Sequence, residues 1–490
     1  MTSLFTSFKS PGVRIVETTQ GYRSLEIASF ETHYIIGSSA TGAYLYPAQV
    51  SSLVDFTNQF GASPSEAAIR LLFRNDKRAI VFFIRTPIAV RRTVTVSTAV
   101  AGTYTVTIAG TAVNYVATGT PTKPDIVSGL IAAVNSTSVA NLVTAQAELA
   151  TDTLIVRNDD PIAASPTLTV GTNLASAITT PTTPAAIDYV YAIENSFDAE
   201  DAYTQGFIFA PEAFQLLSLQ SDRQAVGLAL EAQASDEAFD WVALIDPGVG
   251  LTPAQAQTEA LLYNSPQGHS ALFYPYLIDL ESTVVPPSAA VAGLHTRRFR
   301  EEGLQQPGAG AKFPVLGVLD VVTKVNTQQQ EILNPIGVNV IRNLRNKGIV
   351  VWGMRTRSTS EFYTFLPTRV IMNVLNGTLR SGFDNDLFSS IDGFGLLLNA
   401  ISQTAFSVCN RLWRGRLLFG ATEAAAFEVI CNFTNNTQEE LERGNVILEV
   451  YAVPAPALEK LLVNTIRVSI GTLPLNQAQT VATQLPAATA

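Results

Sequence analysis

Apolar residues fall in short runs along the whole chain, separated by turn residues, and only a few stretches carry a helical repeat. Such runs predict strands at Thr32–Gly37, Ala79–Arg85, Asp240–Asp246, Ala271–Asp279, Ile349–Arg355, Phe427–Phe433 and Val446–Val453. Helix signals lie between them. Ser51 to Phe56 opens a short helix ended by Gly61, and Ser63 with Pro64 caps a second running to about Asn75. Thr252 and Pro253 open another, to about Tyr263. Ser288–Glu302 is helical up to Gly303, and Gln438–Arg443 is a short helix closed by Gly444. Two longer helices are predicted at about 368–380 and 386–414, the second capped by Asp386. Alternation of this kind predicts an α/β sandwich.

The pattern changes at Arg91. Residues 91–183 are rich in Thr, Ala and Val, poor in charge, and lack Phe and Trp. Short alternating strands at Thr93–Ser97, Tyr104–Ile108, Asn114–Ala117 and Leu154–Arg157, one helix at Pro124–Ser136 and a Thr/Pro linker at 179–184 predict a small inserted α+β module, loosely tied to the main core. The ends also stand apart. Val13-Arg14-Ile15-Val16-Glu17 has strand propensity but no hairpin partner in sequence, so it must pair at a distance or on another chain. Thr465-Ile466-Arg467-Val468-Ser469-Ile470 is a similar isolated strand signal before a polar Ala/Gln/Thr-rich tail.

Composition adds a reason to look for partners. Hydrophobic residues make up 47% of the 490 residues and charged ones 15%, low for a surface bathed only in water. No segment reaches the roughly 18 apolar residues of a membrane span, and the start does not read as a signal peptide. Cys409 and Cys431 read as free buried thiols in a reducing compartment. Net charge is −10, unevenly spread: thirteen acids and one base between Asp188 and Glu259, ten bases and four acids between Arg342 and Arg416. The two regions are either complementary patches for head-to-tail self-association or separate solvated faces. The acidic balance argues against general nucleic-acid binding.

A search for chemistry returns none. His33, His269 and His295 have no partner at metal-ligand spacing, and His295 reads as a surface or interface residue. Gly308-Ala309-Gly310-Ala311-Lys312 lacks the spacing and hydroxyl of a phosphate loop. Asp246-Pro247-Gly248-Val249-Gly250 lacks the third glycine of a dinucleotide site and reads as a tight strand–helix turn. Asp384-Asn385-Asp386 lacks the glycine and distal glutamate of a calcium loop. No cofactor, metal or catalytic residue is therefore predicted.

Several segments, in order, resemble the phage tail sheath family: Pro11-Gly12-Val13, the run from Pro47 to Gly61, Asp240–Asp246, Ala271–Pro275, Val285-Pro286-Pro287-Ser288, Asn334-Pro335-Ile336-Gly337, Gly348–Thr356 with its Trp352-Gly353-Met354-Arg355-Thr356, Leu412-Trp413-Arg414-Gly415, and Asn435-Asn436-Thr437. The likeness spans about 11–85 and 185–470. The aromatic-rich segment before the last long helix is reduced here to Gly382–Asp386, and 91–183 falls in the family's variable outer region.

The resemblance implies an α/β, multi-domain sheath-subunit fold with a mixed-sheet core, a small surface-inserted α+β module and extended terminal strand arms. It divides the chain into an arm at 1–24, middle sheath domains at 25–90 and 184–340, the insertion at 91–183, a tube-facing C-terminal core at 341–456, and an arm and tail at 457–490. It implies hexameric rings stacked around an inner tube, with baseplate and tail terminator proteins as further partners, in a virion tail or equivalent particle assembled in a bacterial cytoplasm, and no nucleic acid, membrane insertion or enzymatic activity. The arms Val13–Glu17 and Thr465–Ile470 would pair in neighbouring subunits. Arg411, Arg414 and Arg416 are candidates for a tube-facing or inter-subunit patch, the other reading being charge that complements a helix end. The readings that compete are another shell or surface-layer subunit and an α/β enzyme with an unrecognised site.

Overall fold

The computed structural model describes residues 25–147, 152–179, 181–197, 203–465 and 467; the predicted strand Val13–Glu17 and residues Ile466 and Val468–Ile470 of the second arm lie outside them. The chain divides into two units, Met1–Ala457 and Leu458–Ala490.

The first unit is built on an eight-stranded mixed sheet. Its six central strands are parallel: Val338–Leu344, Ser270–Tyr274, Val242–Ile245, Gly206–Phe209, Thr32–Gly37 and Ile80–Arg85, in that spatial order. Gly348–Val351 and Ala48–Val50 add one antiparallel strand at each edge. The innermost strands Val242–Ile245 and Gly206–Phe209 are buried and apolar without alternation because both faces are covered. Ile35, Phe83, Phe207, Leu244 and Phe273 face one core, which includes residues of the helices Leu53–Phe60, Glu66–Asn75, Pro287–Glu302 and Leu366–Phe383. Tyr34, Ile36, Ile208, Ala243 and Leu272 face another, with the helices Ala186–Asn195, Gln220–Ser235 and Pro253–Ala260. Period-two side-chain direction thus gives a three-layer α/β sandwich.

Several predicted bounds move. The helix expected from Pro64 begins at Glu66, because Ser63 spends its hydroxyl on the backbone N–H of Ser65 and its carbonyl on Glu66. The helix expected from Asp386 begins at Leu396, where Asp392 accepts from the backbone N–H groups of Leu396 (3.1 Å) and Leu397 (3.0 Å). Asp392, six residues downstream, therefore satisfies the orphan donors that Asp386 was expected to satisfy. Position 340, drawn as a boundary from sequence, falls inside the strand Val338–Leu344 of the large sheet. The stretch Ala271–Asp279 is two strands, Ser270–Tyr274 in the large sheet and Leu277–Asp279 in a separate three-stranded one.

Residues 91–179 carry their own core. Val94, Val96, Tyr104, Val106, Ile126, Leu130, Val134, Leu154 and Val156 form one buried cluster between two small antiparallel sheets and the helix Lys123–Asn135. Thr122 and Asp125 cap that helix reciprocally. The junction to the main core is not loose as expected. Asp188, fully buried, accepts from the backbone N–H of Ala89 (3.1 Å) and of Ala185 (2.8 Å), where the chain leaves and re-enters the main core. It also pairs with Arg157 and, at 3.8 Å, with Arg91.

The helices Leu366–Phe383 and Leu396–Arg414 share a further core with a two-stranded sheet, Phe427–Ile430 against Glu449–Ala452. In the second unit, residues 458–465 have no regular secondary structure, and Leu458, Leu461, Leu462 and Val463 are exposed.

Candidate assembly surfaces and a filled ligand crevice

Open α/β sheets bind ligands beyond the carboxyl ends of their strands, where the winding direction reverses. Here that point lies between Thr32–Gly37 and Gly206–Phe209. It is occupied by the chain itself. The carboxylate of Glu212 accepts from the Ser38 N–H (2.9 Å), the Ser65 hydroxyl (2.8 Å), the Tyr189 hydroxyl (2.7 Å) and the Ser38 hydroxyl. Burial raises the pKa of Glu212, and these donors offset part of the rise. Ser65 begins the Glu66–Asn75 helix, so the carboxylate stands where an anionic ligand group would meet a helix N-terminus. Gly37 is required for this approach: a Cβ there would lie 2.3 Å from the Ser65 hydroxyl oxygen and 3.0 Å from Glu212 Oε2.

The next positions along the sheet repeat the arrangement. Asp246, at the end of Val242–Ile245, accepts from the Ser288 N–H (2.9 Å) and hydroxyl (2.6 Å) at the start of Pro287–Glu302. Glu259 accepts from the Gly248 N–H (3.1 Å) and pairs with buried Arg223 (2.5 Å). The Asp246–Gly250 segment is thus the tight strand–helix turn that was predicted, pinned by internal carboxylates. The glycine run at 308–312 has a packing role too: Gly308 N–H donates to His295 Nδ1 (2.8 Å), and a Cβ on Gly308 would lie 2.8 Å from the His295 nitrogen.

Asp246 gives a pH signature. Burial pushes its pKa up to about 7, with the Ser288 hydrogen bonds opposing. The unfolded carboxyl ionises at its ordinary 3.8, so between these values the native state binds the extra proton and stability is lost as pH rises. Asp246→Asn removes this dependence. The melting temperature of the variant relative to wild type should climb by a few degrees from pH 4 to pH 8, and a flat difference would contradict the assignment.

His33, His269 and His295 are all buried, and burial pushes them down to about 3, 4 and 3. His295 is therefore a core residue, correcting its reading as a surface one. It lies in the half of Pro287–Glu302 that is enclosed on every side. Among the described residues, no group of His, Cys, Asp and Glu is arranged to hold a metal ion.

The two charged regions also resolve differently from a pair of facing patches. Asp188, Glu212, Asp240, Asp246 and Glu259 are buried with hydrogen-bonding or cationic partners, so much of the acidic stretch is internal. In the basic stretch, Arg357 and Arg369 are buried. Of the three candidate arginines, Arg411 is half-buried and donates to the Leu25 carbonyl, whereas Arg414 and Arg416 are exposed at the end of Leu396–Arg414. Thr465 and Arg467 are exposed and outside regular structure.

Exposed apolar side chains gather late in the chain. Phe388 and Phe394 are 105% and 90% exposed, with Phe362, Leu387, Leu396 and Phe433 also uncovered. Composition alone could not place these exposed side chains. Close by in sequence, the sheet of Phe427–Ile430 and Glu449–Ala452 has two strands among the described residues, so within them each offers an outer edge.

No protein-family model matches the chain. In sequence the chain matches the tail sheath protein of Enterobacteria phage T4, 22% identical over 191 residues, covering 38% of this chain and 28% of that protein. The chain thus spans less than a third of the curated relative's length. Among solved structures it is similar to the helical sheath of the anti-feeding prophage in its contracted state, with a TM-score of 0.59 and 17% identity over 94% of this chain and 99% of that one. It is likewise similar to the contracted PVC sheath of an extracellular contractile injection system (TM-score 0.58, 15% identity, 94% and 98% covered). At these identities the structures define a fold class, that of contractile-sheath subunits. The sequence match is likewise to a tail sheath protein.

Proposed function

We propose that the protein is the structural subunit of a contractile tail sheath. It polymerises as stacked hexameric rings around an inner tube, and contraction drives that tube through a target envelope. The observation that carries this reading is the match of 94% of the chain to contracted-state sheath subunits. The protein works without catalysis. Its energy is the difference between two packings of the same subunits, and the ligand crevice of its sheet is filled by Glu212. Baseplate and tail terminator proteins cap the polymer, within a tail or injection particle assembled in the bacterial cytoplasm.

In this proposal the segments 25–90 and 184–340 form the middle of the subunit, 91–183 its outer module, 341–456 its tube-facing part, and 1–24 and 457–490 its linking arms. Val13–Glu17 and Thr465–Ile470 add strands to a neighbour. The open edges of Phe427–Ile430 and Glu449–Ala452 are suited to receive them.

Electron microscopy of the expressed protein tests the reading. Hollow striated tubes are expected, and discrete small oligomers would instead favour an enzyme. Arg414→Glu with Arg416→Glu should cut co-sedimentation with the tube several-fold and leave the melting temperature unchanged. Arg411 is excluded from that variant because it holds Leu25. Undiminished co-sedimentation would remove these arginines from the tube-facing role.

A further inference from the structure

A cleft of about 370 Å³ lies where the Gln220–Ser235 helix ends beside the Leu366–Phe383 helix; Glu237, Asp240, Gln267, Tyr363, Arg369 and Arg380 line it. Its inner wall carries an unusual charge. Arg369 is only 3% exposed. Its Nη1 donates one long hydrogen bond, 3.4 Å, to the Gln267 carbonyl, and its Nε has no hydrogen-bond partner. The Tyr363 ring lies 5.0 Å away, across one face of the guanidinium. The buried carboxylate of the cleft attracts it through space but spends its hydrogen bonds elsewhere. Asp240, held at φ 51°, accepts from Arg380 Nη2 (2.7 Å) and Asn376 Nδ2 (3.4 Å).

A buried guanidinium without a contacting carboxylate is costly, and such groups are normally paired. Asp240 and Arg380 neutralise each other. That leaves buried Arg369 and exposed Glu237 as the remaining charges of the lining. The two resident carboxylates disfavour a doubly charged phosphate more than a singly charged group. The volume has room for an extended acidic side chain.

We propose that this cleft is a carboxylate-binding site in which Arg369 pairs with an acidic group supplied from outside the subunit. The same chemistry has two sources, an Asp or Glu of a second copy of the chain or a small free carboxylate. A planar bidentate pair with the guanidinium is the expected contact. The second source does not rest on the sheath reading, because it is measured on the free subunit.

Arg369→Met tests the site. It replaces a buried charge that contacts no carboxylate with an apolar chain of similar length, so the free variant should melt at or above the wild-type temperature. A clear fall in melting temperature would show that Arg369 is an element of the core and overturn the proposal. Two further arms name the source. If a second copy supplies the acid, the protein concentration needed for self-association, read by sedimentation, should rise about tenfold in the variant, the equivalent of one lost 1.4 kcal/mol contact. If a free carboxylate does, glutarate should raise the melting temperature of wild type over chloride at equal ionic strength, and not that of the variant. No response in either arm overturns the proposal.

Discussion

Asp188→Ala is expected to cost about 3–5 kcal/mol, the usual loss when one partner of a buried ion pair is removed. The reason is local. Asp188 is fully buried and Arg157 only 4% exposed, so the truncation leaves a guanidinium in the interior with its counter-ion gone. Two backbone N–H groups, of Ala89 and Ala185, lose their acceptor in the same step. These sites are where the chain passes between the main core and the 91–179 module. The damage should therefore show first as faster proteolysis near 86–91 and 180–186, ahead of global unfolding. Asp188→Asn, which keeps one acceptor oxygen, should lose less. Replacing both Asp188 and Arg157 with apolar residues should recover much of the loss, since no charge is then stranded. Denaturant unfolding of the single variant within about 1 kcal/mol of wild type would show that the junction is held elsewhere.

That junction marks the limit of what the sequence could convey. The strands of the large sheet were legible where apolar runs were continuous, as at Thr32–Gly37 and Asp240–Asp246. Gly206–Phe209 and Val338–Leu344 escaped because one is four residues long and the other mixes Asn and Arg into its second half. Cap chemistry was readable when side chain and helix were adjacent, as at Thr252. It misled at Asp386, since several nearby aspartates compete and only geometry selects Asp392. His295 carried a signal that was available: the run Ser288–Leu294 is small and apolar on every side, the mark of an enclosed helix. Gly293 agrees, since a Cβ there would lie 2.6 Å from the Leu72 carbonyl of the neighbouring helix.

Functional readings divide in the same way. The sequence offered no recognisable catalytic motif, and it gave no hint that the sheet's crevice is filled by the chain itself. Glu212 finds its donors 174 and 147 residues away, at Ser38 and Ser65, and no local pattern encodes that meeting. Likewise, counting acids between Asp188 and Glu259 suggested a patch, and burial dissolved much of it. Exposed Phe388 and Phe394 are the reverse case: aromatic residues that composition would assign to a core lie outside it.

Deleting residues 1–17 should abolish long tubes while leaving a soluble, folded subunit. The proposal rests on Val13–Glu17 pairing in a neighbour, and a strand of five residues adds several backbone hydrogen bonds at about 1 kcal/mol each. Burial of Val13, Ile15 and Val16 would add roughly 1.5–3 kcal/mol apiece before the cost of ordering the segment. The loss is repeated at every subunit of a polymer, so even a few kcal/mol per contact moves the assembly concentration by orders of magnitude. The core should survive because its strands and helices are complete within the described residues. Circular dichroism and thermal melting of the truncated protein should therefore match wild type, while micrographs show single rings or free subunits. Truncation after Ala457 should act alike, removing Leu458, Leu461, Leu462 and Val463, apolar side chains that stand exposed in the single subunit. Normal tubes from either deletion would overturn strand exchange by that arm and leave the sheath fold untouched, because the match to known sheaths covers 94% of the chain and does not depend on one strand.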